Sequence, residues 1–175
     1  MRPKRLYGIL LGLVLICAAC ADHKAALPEG PALHRTPTCT DVPDVDLSFL
    51  TDTRSTIVKK AMESIGTPYR WGGSTPELGF DCSGLVYYTH QTAGIQVPRT
   101  AGAQFARGRK IPKHQLVPGD LVFFSSPKKK TSTHVGIYTG NNWFIHAPGR
   151  GRQVTCSHLK NPYFFNHFTG ARSWH

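Results

Sequence analysis

The spacing of apolar residues changes three times along this chain, and each change marks a different kind of structure. Leu6 to Ile16 is a predominantly apolar run that follows Arg2, Lys4 and Arg5. It is too short to span a bilayer comfortably and reads as the hydrophobic part of an export signal over residues 1–19. From there to residue 53 the chain has little periodicity and scattered Pro, Ala and Thr, the pattern of a tether. Val45 to Leu50 carries enough apolar content to pack on the domain beyond it. Helical spacing then sets in. Thr53-Arg54-Ser55 opens a helix whose apolar face is Ile57, Val58, Ala61, Met62 and Ile65, with Gly66 closing it. Thr67-Pro68 forces an extended exit. The stretch from Tyr69 to Gly79 is too rich in Gly and Pro for a helix or an inner strand.

After Asp81 the 3.6 period returns through Leu85, Val86, Tyr88 and Thr89, with Gly94 as the stop. Thr100 to Ala106 reads as a short helix or turn. The second half has the period of strands. Leu121 to Phe124 is an all-apolar run suited to a buried strand, delivered by the turn Pro118-Gly119-Asp120. Lys128 to Thr133 reads as a polar loop. His134 to Thr139 alternates, Gly140-Asn141-Asn142 turns, and Trp143 to Ala147 returns as the second arm of a hairpin. Short strands are also expected around Gln153–Thr155 and over Phe168–Arg172. Helices first and an antiparallel sheet afterwards predict an α+β domain over residues 54–175.

Length and composition agree with one globular domain plus an exported leader: 175 residues, 40% hydrophobic. Ala18-Ala19-Cys20 after the apolar run resembles a bacterial lipoprotein signal, in which Cys20 becomes the lipid-bearing first residue. The pattern departs from that model at Cys17, where leucine is usual, so a plain secretory cut near Ala21 stays open. In a Gram-negative source, Ala21 in place of Asp resembles an outer-membrane lipoprotein. The formal charge of +11 suits anionic envelope polymers as well as simple solubility. It does not point to nucleic acid, since the chain is exported and has no binding motif. Outside Cys17-Ala18-Ala19-Cys20 in the signal, no close ligand pair such as CxxC or HExxH occurs, so neither a metal nor a cofactor is expected.

Five cysteines remain to be assigned. Cys17 leaves with the signal, Cys20 carries lipid, and in an oxidising compartment Cys39 and Cys156 can pair and leave Cys82 as the single thiol. With Asp81 as N-cap, Cys82 falls in the first turn of its helix. Free N–H groups and the helix dipole there favour a thiolate. A buried structural cysteine fits the same position.

A cysteine nucleophile needs a base, and the base needs a partner that fixes its tautomer. His134 and His146 stand on the two arms of the hairpin. With a two-residue Asn141-Asn142 turn they point to opposite faces. With a three-residue Gly140-Asn141-Asn142 loop, Thr139 pairs with Trp143, Gly136 faces His146, and His134 lies diagonal to His146 on one face, about 7 Å away at the backbone. The three-residue loop is the expected one. In a chain with nine histidines, ordinary strand positions are the competing explanation.

Six segments in order carry a family resemblance: Tyr69-Arg70-Trp71-Gly72-Gly73, Phe80 to Val86, Val97-Pro98-Arg99-Thr100-Ala101, Leu116 to Leu121, His134-Val135-Gly136-Ile137-Tyr138 and Phe144-Ile145-His146-Ala147. Together they resemble the NlpC-type family of papain-like bacterial cell-wall cysteine peptidases. The resemblance implies a papain-like α+β fold and hydrolysis of peptide bonds in peptidoglycan stem peptides or cross-links. It makes Cys82 the nucleophile, His134 the general base, His146 the orienting residue and Tyr69 a donor near the oxyanion. Asp81 and Ser83 match groove-lining positions, and Asp81 is expected either to meet a substrate amine or to serve only as N-cap. Arg99 meets a substrate carboxylate or is paired within its own lobe. A non-catalytic peptidoglycan-binding lipoprotein and a thiol amidase or acyltransferase are the rival readings.

Overall fold

The computed structural model describes Cys39, Ser48, residues 50–126 and residues 129–175. The expected signal, Cys20 and nearly all of the expected tether lie outside the described residues. Helix α1 (Asp52–Glu63) begins just ahead of the expected start because Thr51 is the better cap: its hydroxyl accepts from the Arg54 N–H at 3.4 Å. The Gly-rich loop after it carries two short paired strands, β1 (Ser74–Thr75) and β2 (Gly79–Phe80). Helix α2 (Cys82–Thr92) is capped by Asp81, and Gly94 just beyond it takes the positive φ of 79° that ends it. Helix α3 (Ala101–Arg107) and strand β3 (Arg109–Ile111) lead to the sheet strands β4 (Leu121–Ser126), β5 (Lys129–Gly140), β6 (Trp143–His146) and β7 (Thr155–His158). A short helix α4 (Pro162–His167) and strand β8 (Phe168–Ser173) complete the domain.

The main sheet is antiparallel throughout, in the order β3-β8-β4-β5-β6-β7. One face packs on the helices through Leu121, Phe123, Val135, Ile137 and Ile145 against Ile57, Ala61, Leu85 and Val86. The other face carries Val122, Phe124, Tyr138 and Phe144, covered by Leu159, Phe164 and Phe168. Burial on both faces explains why Leu121–Phe124 is apolar without alternation. Each of these aromatic side chains removes enough surface from water to contribute roughly 1.5–3 kcal/mol.

Three expectations are corrected here. The polar loop over Lys128 to Thr133 is strand from Lys129 onward. β4 extends to Ser126 and offers its edge, with Ser125 opposite Ser132 and Ser126 opposite Lys129, across two register shifts. The strand around Gln153–Thr155 starts at Thr155, while Gln153 forms an isolated bridge to Pro68.

The third concerns the hairpin. Its turn is the two-residue Asn141-Asn142, with φ of 49° and 65°, and Gly140 pairs with Trp143. Two positive φ values are what a type I′ turn needs, and Asn accepts them. The register nevertheless shifts between Tyr138 and Gly140, so Tyr138 pairs with Phe144 and Ile137 with Ile145. Below the turn the register therefore equals the one expected from a three-residue loop. A bulge at Thr139 supplies the extra residue.

Cys39 and Cys156 form a disulfide, with Cα atoms 5.3 Å apart and a sequence separation of 117. It fastens chain ahead of α1 to β7. A ring of that size removes about 4–5 kcal/mol of unfolded-state entropy in the chain-entropy treatment.

Candidate active site

Cys82 owes its position to Asp81. One Asp81 oxygen accepts from the Gly84 N–H at 2.7 Å and the Ser83 hydroxyl at 3.2 Å, and the other accepts from the Gly72 N–H at 2.9 Å. The Arg99 fork grips both, at 2.9 and 2.8 Å. The same guanidinium donates to the Ser83 hydroxyl at 3.1 Å and the Gly73 carbonyl at 3.0 Å. Burial alone would raise the Asp81 carboxyl, but Arg99 and the Gly84 and Gly72 N–H groups hold it below the usual carboxylate range. Asp81 is thus the N-cap and an ion-pair partner at once, and Arg99 is occupied inside its own lobe. Gln104, fully buried on α3, donates to the Ser83 carbonyl at 3.1 Å and fixes the same turn from the far side.

Among the described cysteines, Cys82 alone stands outside the disulfide. The backbone N–H of Val135 favours the charged form of its sulfur, and those of Ser83 and Cys82 do so less. The thiol therefore rests against β5 at the residue next to His134. Burial pushes the thiol up, and the Asp81 charge adds to this against the N–H donors. This corrects the thiolate expected from the helix tip: tertiary burial outweighs the local dipole, and the resting sulfur is protonated.

Phe124 faces His134 across β4 and β5, and the two histidines share a sheet face. His134 Nε2 lies 2.7 Å from His146 Nδ1. His146 is buried beneath Phe144 and Phe164, its ring 5.0 and 5.3 Å from theirs. Burial, with the charge of Arg152 behind it, lowers His134 to about 4. Burial likewise takes His146 well below the ordinary histidine value, with His134 and Arg152 adding to the effect. Both rings are neutral at rest.

Tyr69 is held beside this group by its own N–H to the Arg152 carbonyl at 2.8 Å and by a parallel bridge to Phe80. Burial raises its phenol, with the nearby Asp81 carboxylate adding to this and Arg150 opposing it, so the hydroxyl keeps its proton. Tyr69, Asp81, Cys82, Ser83, Arg99, His134 and His146 all line one open groove of about 1650 Å³. That exceeds a typical small-ligand pocket and suits an extended polymer segment. Trp71 stands on its wall, whereas Trp143 is core.

The structure thus gathers every expected site residue that it describes. It adds two that sequence reasoning missed. Arg152 lines the groove and acts electrostatically on both histidines. Ser157 on β7 places its hydroxyl 3.0 Å from His146 Nε2. Alternation around Cys156 would have put Thr155 and Ser157 on one face, but the pairing of β7 with β6 is not written in the local sequence.

A protein-family model described as NlpC/P60 family matches residues 66–173. The murein DD-endopeptidase MepH of Escherichia coli K12 is 44% identical over 118 residues, which is 66% of this chain and 44% of that protein. The probable endopeptidase NlpC of the same organism is 36% identical over 170 residues, 95% of this chain and 97% of that one. Among solved structures, an NlpC/P60 family protein from Bacillus cereus ATCC 10987 superimposes with a TM-score of 0.65 at 34% identity, covering 69% of this chain and 40% of its own. The chain spans less than half the length of the first three curated relatives it matches.

Proposed function

This chain belongs to the NlpC/P60 family, with its papain-like α+β fold, and on that footing we propose that it is a cysteine endopeptidase acting on peptidoglycan peptides. The observation that carries the reading is the juxtaposition in one groove of the Cys82 thiol with the hydrogen-bonded pair His134 and His146.

The chemistry is acyl transfer through the sulfur. As Cys82 Sγ attacks the scissile carbonyl, its proton passes to the free nitrogen of His134. The neutral resting pair makes His134 a general base at the moment of attack instead of the partner of a standing thiolate. The tetrahedral oxyanion is met by the Tyr69 hydroxyl and the Cys82 N–H, donors of a kind worth roughly 3–4 kcal/mol each. His134 returns the proton to the leaving amine, and a water activated by the same ring frees the acyl group. Asp81, Ser83 and Arg99 hold the α2 tip and form the adjoining groove wall.

Incubation with defined muropeptides followed by mass analysis of the products tests this. Cleavage within a stem peptide or at a cross-link is expected. Intact muropeptides, or release of a sugar amide instead of a peptide, would replace it with one of the rival activities.

The charge states give a pH dependence. A base that loses its proton at about 4 leaves kcat/KM flat from neutral pH down to about 5, falling below that. Arg152→Ala removes a cation beside the ring, which makes protonation easier and moves the acid limb to higher pH. An acid limb unmoved in that variant would remove Arg152 from the account.

The chain is exported and held at the membrane by lipid on Cys20, in the outer membrane if the source is Gram-negative. The apolar run ending at Ala18-Ala19-Cys20 and the Cys39–Cys156 disulfide support export. In detergent phase separation the full chain is expected in the detergent phase and Cys20→Ala in the aqueous phase. Wild-type protein in the aqueous phase would refute the anchor.

A further inference from the structure

His146 sits in a position that ordinary triad logic leaves incomplete. A neutral imidazole has one N–H donor and one bare nitrogen. His146 uses Nδ1 toward His134 Nε2 at 2.7 Å and Nε2 toward the Ser157 hydroxyl at 3.0 Å. Its other close neighbours are the rings of Phe144 and Phe164, which offer no alternative acceptor.

The chain of three groups therefore has two polarities. In one, His134 Nε2–H donates to His146 Nδ1, His146 Nε2–H donates to Ser157 Oγ, and His134 Nδ1 is bare. In the other, every donor is reversed and His134 carries its proton on Nδ1, where it cannot accept one from a thiol. Both imidazoles are neutral, so nothing within the pair chooses between them. We propose that Ser157 is a positioning residue of the candidate active site, whose hydroxyl oxygen accepts from His146 Nε2 and so leaves His134 Nδ1 unprotonated for Cys82.

The serine hydroxyl is suited to this because it lines the groove, where its own proton can turn to the open side while its lone pair faces the ring. Without the oxygen, the working polarity strands a buried N–H. The reversed one strands only a bare ring nitrogen, the lesser cost. The equilibrium then moves to the tautomer that cannot act as a base. The relay moves no proton to Ser157: the one proton transferred goes from Sγ to His134 Nδ1, and the fixed dipole of His146 stabilises the imidazolium that results.

This inference rests on the peptidase reading for its kinetics but not for its spectroscopy. In protein labelled with 15N in its histidine rings, with signals assigned through single histidine variants, wild type is expected to show a protonated His146 Nε2 and a bare His134 Nδ1. Ser157→Ala is expected to reverse both and to lower kcat roughly ten- to hundredfold, the cost of one unmet buried donor, with KM little changed. Ser157→Thr, which keeps the hydroxyl, is expected to recover most of the rate. In a His146→Asn background, where an amide oxygen accepts from His134 and no tautomer needs fixing, Ser157→Ala is expected to add nothing. Unchanged tautomers and kcat in Ser157→Ala, or an undiminished effect in the His146→Asn background, would overturn the proposal. A wild type that shows the expected tautomers yet cleaves no muropeptide would refute the peptidase reading alone.

Discussion

Cys82→Ala is expected to abolish muropeptide cleavage, with a fall of at least about a thousandfold, while the protein keeps its fold and its affinity for substrate. The size of the effect follows from the sulfur forming the bond that every later step depends on. Among the described residues no other thiol stands in the groove, and the second cysteine-bearing element, β7, has its Cys156 in a disulfide. The fold is expected to survive because position 82 is the first residue of α2, where alanine is a good helix former and the cap depends on Asp81. The thermal midpoint should move by only a few degrees. Cys82→Ser is expected to be nearly as inactive, since a hydroxyl is far less acidic than a thiol. Cleavage of purified muropeptides by Cys82→Ala at even a tenth of the wild-type rate would sink the mechanism.

Gly84→Ala is the second large effect, and it needs no chemistry. A Cβ at Gly84 would run into the Gly73 carbonyl oxygen and stand 3.0 Å from Arg99 Nη2. That carbonyl accepts from the Asp81 N–H at 3.1 Å and from Arg99 at 3.0 Å, so the intruding methyl meets backbone that is already tied down. The cost is expected at about 3 kcal/mol or more. Because the displaced loop and turn also hold Asp81 and Cys82, activity should fall further than the lost stability explains. Gly102→Ala is the control. It lies in α3 with open space around it, and it should be neutral or stabilising by up to about 1 kcal/mol. Urea unfolding of the two variants makes the comparison, and a Gly84→Ala midpoint equal to wild type would refute the packing argument.

What the sequence makes legible is local. The cap at Asp81, the helix through Val86 and its end at Gly94 depend on neighbours within a few residues, and all three are present in the fold. The hairpin shows where local reading stops. Its turn is one residue shorter than pattern suggests, yet His134 and His146 share a face because a bulge at Thr139 makes up the difference. Pattern can tell that the two strands need an odd residue somewhere, but where it goes is settled by packing on both sheet faces. The protonation of Cys82 escapes local reading for a related reason. The helix dipole is visible in sequence, whereas the burial that opposes it exists only once the chain has folded around the helix tip. Ser157 is invisible in sequence because its partner lies on another strand. The pairing of Arg109 with Ser173, and helix α4 capped by Asn161 with Pro162 in its first turn, belong to the same class, although Asn-Pro is a usable signal.

The place of β8 has a consequence for how the protein comes into being. Phe168–Ser173 lies inside the sheet, between β3 and β4. A ribosome or a translocation channel delivers those residues after every other strand of the sheet. Until they arrive, β4 has one unpaired edge and β3 has no partner, and the sheet is open in its interior. Contacts of this sequence separation close slowly because loop entropy is lost before they form. Closure of the sheet therefore waits on the late strand, and until it arrives Val122 and Phe123 of β4 stand without their partners Ala171 and Gly170.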